Sequence, residues 1–149
     1  MFPALLGLQL FHVVFLLLHD WVPLPPLNDV HAVRAEHRGW KMPVATLIST
    51  LPFAVPLWAS LRHVNGPYPH WLWVWLWIAY VWLFVGELHA WWLPYSGRTT
   101  AEQVEQYRAM YGRTHAFLPE RHGIVPNTMH VMLHTLTLST LVVLAAMTV

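Results

Sequence analysis

His130 and His134 stand four residues apart, so any helix that contains them presents both imidazoles on one face. Asn127 and Thr137 extend that face at helical spacing. Gln9, His12, Leu16 and His19 form a second stripe of this kind, and Tyr80, Phe84, Glu87 and Trp91 a third. Imidazole is the commonest metal ligand and the side chain that changes charge nearest neutral pH. His19, Glu87, His130 and His134 therefore form a candidate ligand set for a divalent transition metal such as iron, zinc or copper. Glu87 and His134 are equally candidates for acid–base catalysis. His12 and His19 are candidates for holding a cofactor, with haem as the alternative to a bare metal ion. Tyr80, Trp91, Asn127 and Thr137 lie on the same stripes and are candidates for orienting a substrate.

These groups sit in a setting that makes them expensive. The chain is 56% hydrophobic and only 10% charged, too apolar for an ordinary soluble domain of 149 residues. Four apolar stretches, at about 3–20, 43–61, 71–92 and 128–149, approach the ~20 residues needed to cross a ~30 Å hydrocarbon core. The first lacks a basic leading region and a small-residue cleavage site, and it contains His12, so it reads as a retained span. The expected fold is all-α: one four-helix transmembrane bundle with short amphipathic cap helices on the cytoplasmic side. Ionisable groups inside a bilayer are costly, and they ordinarily face a bundle interior and mark function.

The loops set an orientation. Arg34, Arg38 and Lys41 fall in the first loop and Arg98, Arg108, Arg113 and Arg121 in the third, against Arg62 alone in the second. The positive-inside rule puts loops one and three in the cytoplasm and both termini outside, with a bacterial inner membrane as the default location. His19, Glu87 and His130 are then expected at similar depth near the cytoplasmic boundary, with His12 and His134 deeper, around a pocket open to the cytoplasm. Gly86 is expected to permit close helix approach. The tryptophans at 71, 73, 75 and 77 alternate like a strand, but the apolar run is too long for one and reads as a helix with interfacial anchors.

The first loop holds a stiff Pro-rich segment, Trp21-Val-Pro-Leu-Pro-Pro-Leu27, then a short helix over 30–38 capped by Asn28 or Asp29. The third loop opens a helix with the capping pattern Thr99-x-x-Glu102, ending at Gly112. Its stripe of Val104, Tyr107 and Tyr111 suits a helix lying across the cytoplasmic end of the bundle. His31, His37, His115 and His122 add imidazoles on that side. Pro52 and Pro56 predict a kink in the second span.

With no cysteine, the chain has no thiolate metal site, disulfide or thiol chemistry. A net charge of +1 without a dense basic patch gives no reason to expect nucleic acid. Three function classes fit. One is a metal-dependent membrane enzyme, an oxidoreductase for instance, acting on a lipid- or isoprenoid-like substrate. Another is a metal-free isomerase or cyclase using Glu87. The third is a haem- or pigment-binding subunit of a larger complex. The expected partners are membrane lipids, a hydrophobic small-molecule substrate and, for redox chemistry, an external donor. Clustered histidines at the cytoplasmic ends of membrane helices resemble, in kind, the membrane di-metal hydroxylases and desaturases. This chain has no adjacent His-His pair, so none of their ligand assignments carries over.

Overall fold

The computed structural model describes residues 2–36 and 39–148. His37 and Arg38, which the sequence reading includes in the first loop, lie outside the described residues. Among the described residues the protein is helical and has no strand, only an isolated bridge between Arg121 and Ile124. The elements are α1 (Phe2–Leu18), α2 (Val30–Glu36), α3 (Lys41–Arg62), α4 (His70–Glu87), a π turn (Leu88–Trp92), α5 (Leu93–Tyr95), α6 (Ala101–Tyr111) and α7 (Thr128–Thr148). Three helices are long and apolar enough to cross a membrane: Lys41–Arg62, the continuous run His70–Tyr95, and Thr128–Met147. The fourth apolar helix, α1, is shorter at 17 residues.

α1 packs on α3 and α7, and α4 packs on the same two helices, so the four long helices close a ring. The start of α1 meets the turn between α3 and α4, where the rings of Phe2 and Tyr68 lie 5.0 Å apart. The outward faces are apolar, with Trp82 80% and Ile48 67% exposed. Such a surface suits hydrocarbon and not water. The inward faces carry the expected stripes: Gln9, His12 and Leu16 are buried on α1, Tyr80 and Glu87 on α4, and His134 and Thr137 on α7.

Two prolines create contacts where the helices would otherwise lose a hydrogen bond. Pro56 has no N–H to offer the carbonyl of Pro52. The indole of Trp75 on α4 donates to that carbonyl at 3.1 Å, so Trp75 joins α3 to α4 in addition to facing outward. Pro94 in the same way frees the carbonyl of Ala90, and the Tyr107 hydroxyl of α6 donates to it. Just before Pro94 the backbone widens, with the N–H of Leu93 reaching the carbonyl of Leu88. The consequence is that α4 continues to Tyr95 and turns its last residues to a new face.

The loops at the other end are tied to one another. Asp29, not Asn28, caps α2, accepting the Ala32 N–H at 3.0 Å. Asn28 instead donates to the carbonyls of His19 and Val22 and accepts from Leu24, folding the Pro-rich segment back on α1. Arg113 pairs with Asp29 at 2.8 Å, and the His115 N–H reaches the Pro26 carbonyl at 2.7 Å. The cap of α6 is one residue later than the sequence pattern suggested. Thr100 accepts the Gln103 N–H, while Thr99 bonds the Gln103 side chain.

Candidate functional site

Thr137, fully buried on α7, is the meeting point of three helices. Its hydroxyl lies 2.7 Å from Oε1 of Glu87 on α4 and 3.1 Å from Nε2 of His12 on α1. His12 Nδ1 sits 2.7 Å from the Leu8 carbonyl, which can only accept, so Nδ1 carries a proton and Nε2 faces Thr137. Two hydrogen bonds then link three groups. Thr137 has one proton for these two contacts and for the Leu133 carbonyl, 3.1 Å from the same oxygen, so Glu87, His12 or both carry a proton in the cluster. The second carboxyl oxygen, Glu87 Oε2, is buried and has no hydrogen-bond partner among the described residues. Tyr80 packs its ring 5.0 Å from His12, and its buried hydroxyl is likewise unpartnered.

A second layer lies nearer the loops. Asn127 precedes α7 and accepts from the backbone N–H of His130 at 3.0 Å and from its ring Nδ1 at 2.6 Å. The His130 ring packs at a tilt against Trp91, ring centres 4.2 Å apart, with Tyr111 at 5.1 Å and His19 at 6.4 Å. His19 holds the Phe15 carbonyl through Nδ1 and sits 3.2 Å from Asp20 through Nε2. His134 lies 6.2 Å from His130 between ring centres, and its Nδ1 accepts from the indole N–H of Trp92 at 3.0 Å. Burial pushes the Tyr111 hydroxyl up, reinforced by the charge of Asp20, and burial raises Tyr107 as well. Both remain protonated donors at neutral pH.

The three stripes do point at one another, but the depths differ from the sequence reading. Glu87 belongs with His12 and Thr137, not with His19 and His130. The reason is the extension of α4 to Tyr95, which leaves Glu87 two helical turns inside its end. Of the candidate metal ligands, His19 and His130 are neighbours, His134 stands beside His130, and Glu87 is bonded to Thr137. Among the described residues, no three His, Asp or Glu side chains come together as a group that could hold a metal ion. His89 and His31 are exposed. His115 bonds Thr128 within the loop structure.

The cavity beside these groups has a volume of about 560 Å³. Phe53, Leu83 and Leu133 form its apolar wall, and Glu87, Trp91 and His134 reach it. It opens sideways between α3 and α4, past the exposed Ile48, Ile78 and Trp82, and not toward the loops as expected. At the loop end Trp91, Tyr107 and Tyr111 pack around His130. Gly86 lines the opening, and a Cβ added there would meet nothing within 4 Å. Its lack of a side chain widens the groove; it does not bring helices together. Asn127 and Tyr80 lie off the groove wall, the first fixing His130 and the second backing His12.

Sequence reasoning passed over Trp92, Gly86's true role, and Tyr107 as a partner of α4. At ordinary helical spacing Trp91 and Trp92 diverge by ~100°. The π turn lets both reach histidines of α7. Pro94 is the only signal in the sequence, through the carbonyl it leaves free four residues earlier.

No protein-family model, curated protein or solved structure matches this chain.

Proposed function

We propose that this chain is a four-span integral membrane protein, with both termini outside and α2 and α6 capping its cytoplasmic end. It admits an apolar, lipid-like molecule from the bilayer into the groove between α3 and α4 and moves a proton on it with Glu87. The reaction class is isomerisation or cyclisation, a metal-free acid–base enzyme. One observation carries the reading: a buried carboxyl has one oxygen held by Thr137 and the other buried without a hydrogen-bond partner among the described residues, in a side chain that borders a largely apolar groove. A carboxyl kept from water, and linked through Thr137 to an imidazole with which it shares a proton, serves as an acid or base for a substrate that brings neither. For α1 to span, its 17 residues supply ~26 Å at 1.5 Å each, and His19 and Asp20 follow at the boundary.

The test is native mass spectrometry of the full chain purified in mild detergent, to find the molecule that co-purifies, followed by turnover of that molecule. Glu87→Gln should retain the molecule and lose turnover by ~10²-fold or more. Unchanged turnover in Glu87→Gln would remove Glu87 from the mechanism.

A second reading is favoured by the way Asn127 holds His130. An acceptor on Nδ1 that leaves Nε2 bare is how outer partners orient a metal-binding imidazole. Here His130 holds an iron, zinc or copper ion through Nε2, with the remaining ligands from outside the chain. Elemental analysis beside an absorption spectrum separates the readings. Stoichiometric metal, lost in His130→Ala, selects the metal enzyme; a haem band selects the cofactor-binding subunit.

A further inference from the structure

We infer that the molecule taken into the side groove carries a carbonyl oxygen, received by the Nε2–H of His134 while Glu87 works on the adjacent carbon. This inference rests on the groove reading above and names its substrate class.

The chemistry of one hydrogen bond carries it. The indole nitrogen of Trp92 can only donate. It lies 3.0 Å from His134 Nδ1, so that nitrogen is bare. A proton on Nδ1 would set one N–H against another, which excludes the doubly protonated ring in this contact. The ring is therefore neutral, with its proton on Nε2. No hydrogen bond occupies Nε2 among the described residues, and the side chain lines the groove. A donor facing hydrocarbon without a partner costs free energy, so an acceptor on the bound molecule gains from meeting it.

Among the other polar groups on the wall, the indole N–H groups of Trp82 and Trp91 are further donors, and Ser49 gives its hydroxyl to the Thr46 carbonyl. His130 Nδ1 is held by Asn127, and the Trp75 indole by Pro52. Glu87 Oε2 is free. His134 precedes Thr137 by three residues, ~4.5 Å of helix rise, and Thr137 touches Glu87 at 2.7 Å. The donor thus lies about one helical turn from the residue that holds the Glu87 carboxyl. A ketone, aldehyde or quinone carbonyl with an attached C–H matches this pair. An alkane or an ether-free hydrocarbon tail alone does not use it.

The step balances without an oxidant. Glu87 Oε2 takes the proton of the carbon next to the carbonyl. The C–H electron pair becomes the new C=C bond, and the carbonyl π pair moves to oxygen, where the His134 N–H holds the developing charge. Return of the proton from Oε2 to the same carbon restores the ketone. Return to the far end of a conjugated system shifts the double bond.

The experiment uses the full chain in lipid nanodiscs with 2-pentadecanone and pentadecane as probes, each displacing a fluorescent fatty-acid analogue. The wild type should bind the ketone about tenfold tighter than the alkane, the factor expected for one hydrogen bond to an otherwise unpaired donor. In His134→Phe the ratio should fall to about one. Trp92→Phe releases Nδ1 and should lower the ratio while leaving the imidazole in place, which covers the case of a His134→Phe variant that does not fold. In D₂O the wild type should exchange the hydrogens beside the carbonyl, and Glu87→Gln should not. Equal binding of ketone and alkane by the wild type, with both displaced by Gly86→Trp, would overturn the carbonyl inference and leave the groove standing. Failure of both probes to bind would overturn both.

Discussion

The groove between α3 and α4 and the groove along α1 and α7 are of similar size, about 560 and 400 Å³, but their walls differ. The second is lined by Phe11, Val14, Leu18, Met129 and Met132, with His19 at its edge. His19 is already engaged with the Phe15 carbonyl and Asp20. The first ends on Glu87, whose Oε2 is unpartnered, and on His134, whose Nε2 has no hydrogen bond among the described residues. An apolar furrow on a membrane protein is simply where acyl chains lie. Unsatisfied polar atoms at the back of one furrow are what distinguish a site from a surface, because hydrocarbon offers them nothing.

Filling each groove in turn is the sharpest test of that difference. Gly86→Trp places an indole in open space at the mouth of the α3–α4 groove. It should abolish retention of the co-purified molecule, a loss of ~10-fold or more in occupancy by native mass spectrometry. Val14→Trp, on the other groove, should leave occupancy unchanged. Equal effects from the two would erase the distinction.

Next in size is Thr137→Val, which keeps the shape and removes the hydroxyl joining Glu87 to His12. Two buried polar groups then lose a partner, and stability should fall by about 2 kcal/mol. Thermal unfolding in detergent measures it, with Thr137→Ser expected to restore most of the loss. No comparable cost is expected at Thr135, whose exposed hydroxyl bonds only its own helix.

Tyr107→Phe is milder. It withdraws the donor from the Ala90 carbonyl that Pro94 leaves free, at a cost of about 1 kcal/mol. Faster hydrogen exchange confined to 88–95, without loss of the helix ring, is the expected signature.

The smallest effect is a pH dependence of the loop contact. The Ala32 N–H holds the Asp29 carboxyl below its ordinary value; burial opposes this, and Arg113 and the His31 N–H add to the lowering. A depressed carboxyl stabilises above its unfolded value of 3.8 and loses that contribution as pH falls toward the folded one. Protease protection of the segments around Asp29 and Arg113 should therefore be flat near neutrality and weaken only below about pH 4.

Much of the interior was legible before any coordinates. Residues at three- and four-residue spacing must share a helix face, and burying a His or Glu within hydrocarbon is tolerable only if it faces another helix. That is why Gln9, His12, Glu87, His134 and Thr137 are all buried where their stripes indicated. Depth was harder to read. Counting Glu87 from the end of the apolar run placed it with His19, because nothing in local hydropathy announces that α4 continues through a π turn to Tyr95. Gly86 was misread for a related reason: a glycine on a helix is the same letter whether a neighbour fills its space or leaves it open.

The amino-acid sequence by itself determined a helical, membrane-suited chain with three polar stripes, since composition and period depend only on local geometry and transfer from water. Tertiary structure decided which members of those stripes are bonded to each other. It joined Glu87 to His12 through Thr137 and fixed the proton of His134 through Trp92. It also turned the opening of the cavity toward the side. Those outcomes depend on the rotation and register of one helix against another, and packing across helices sets both.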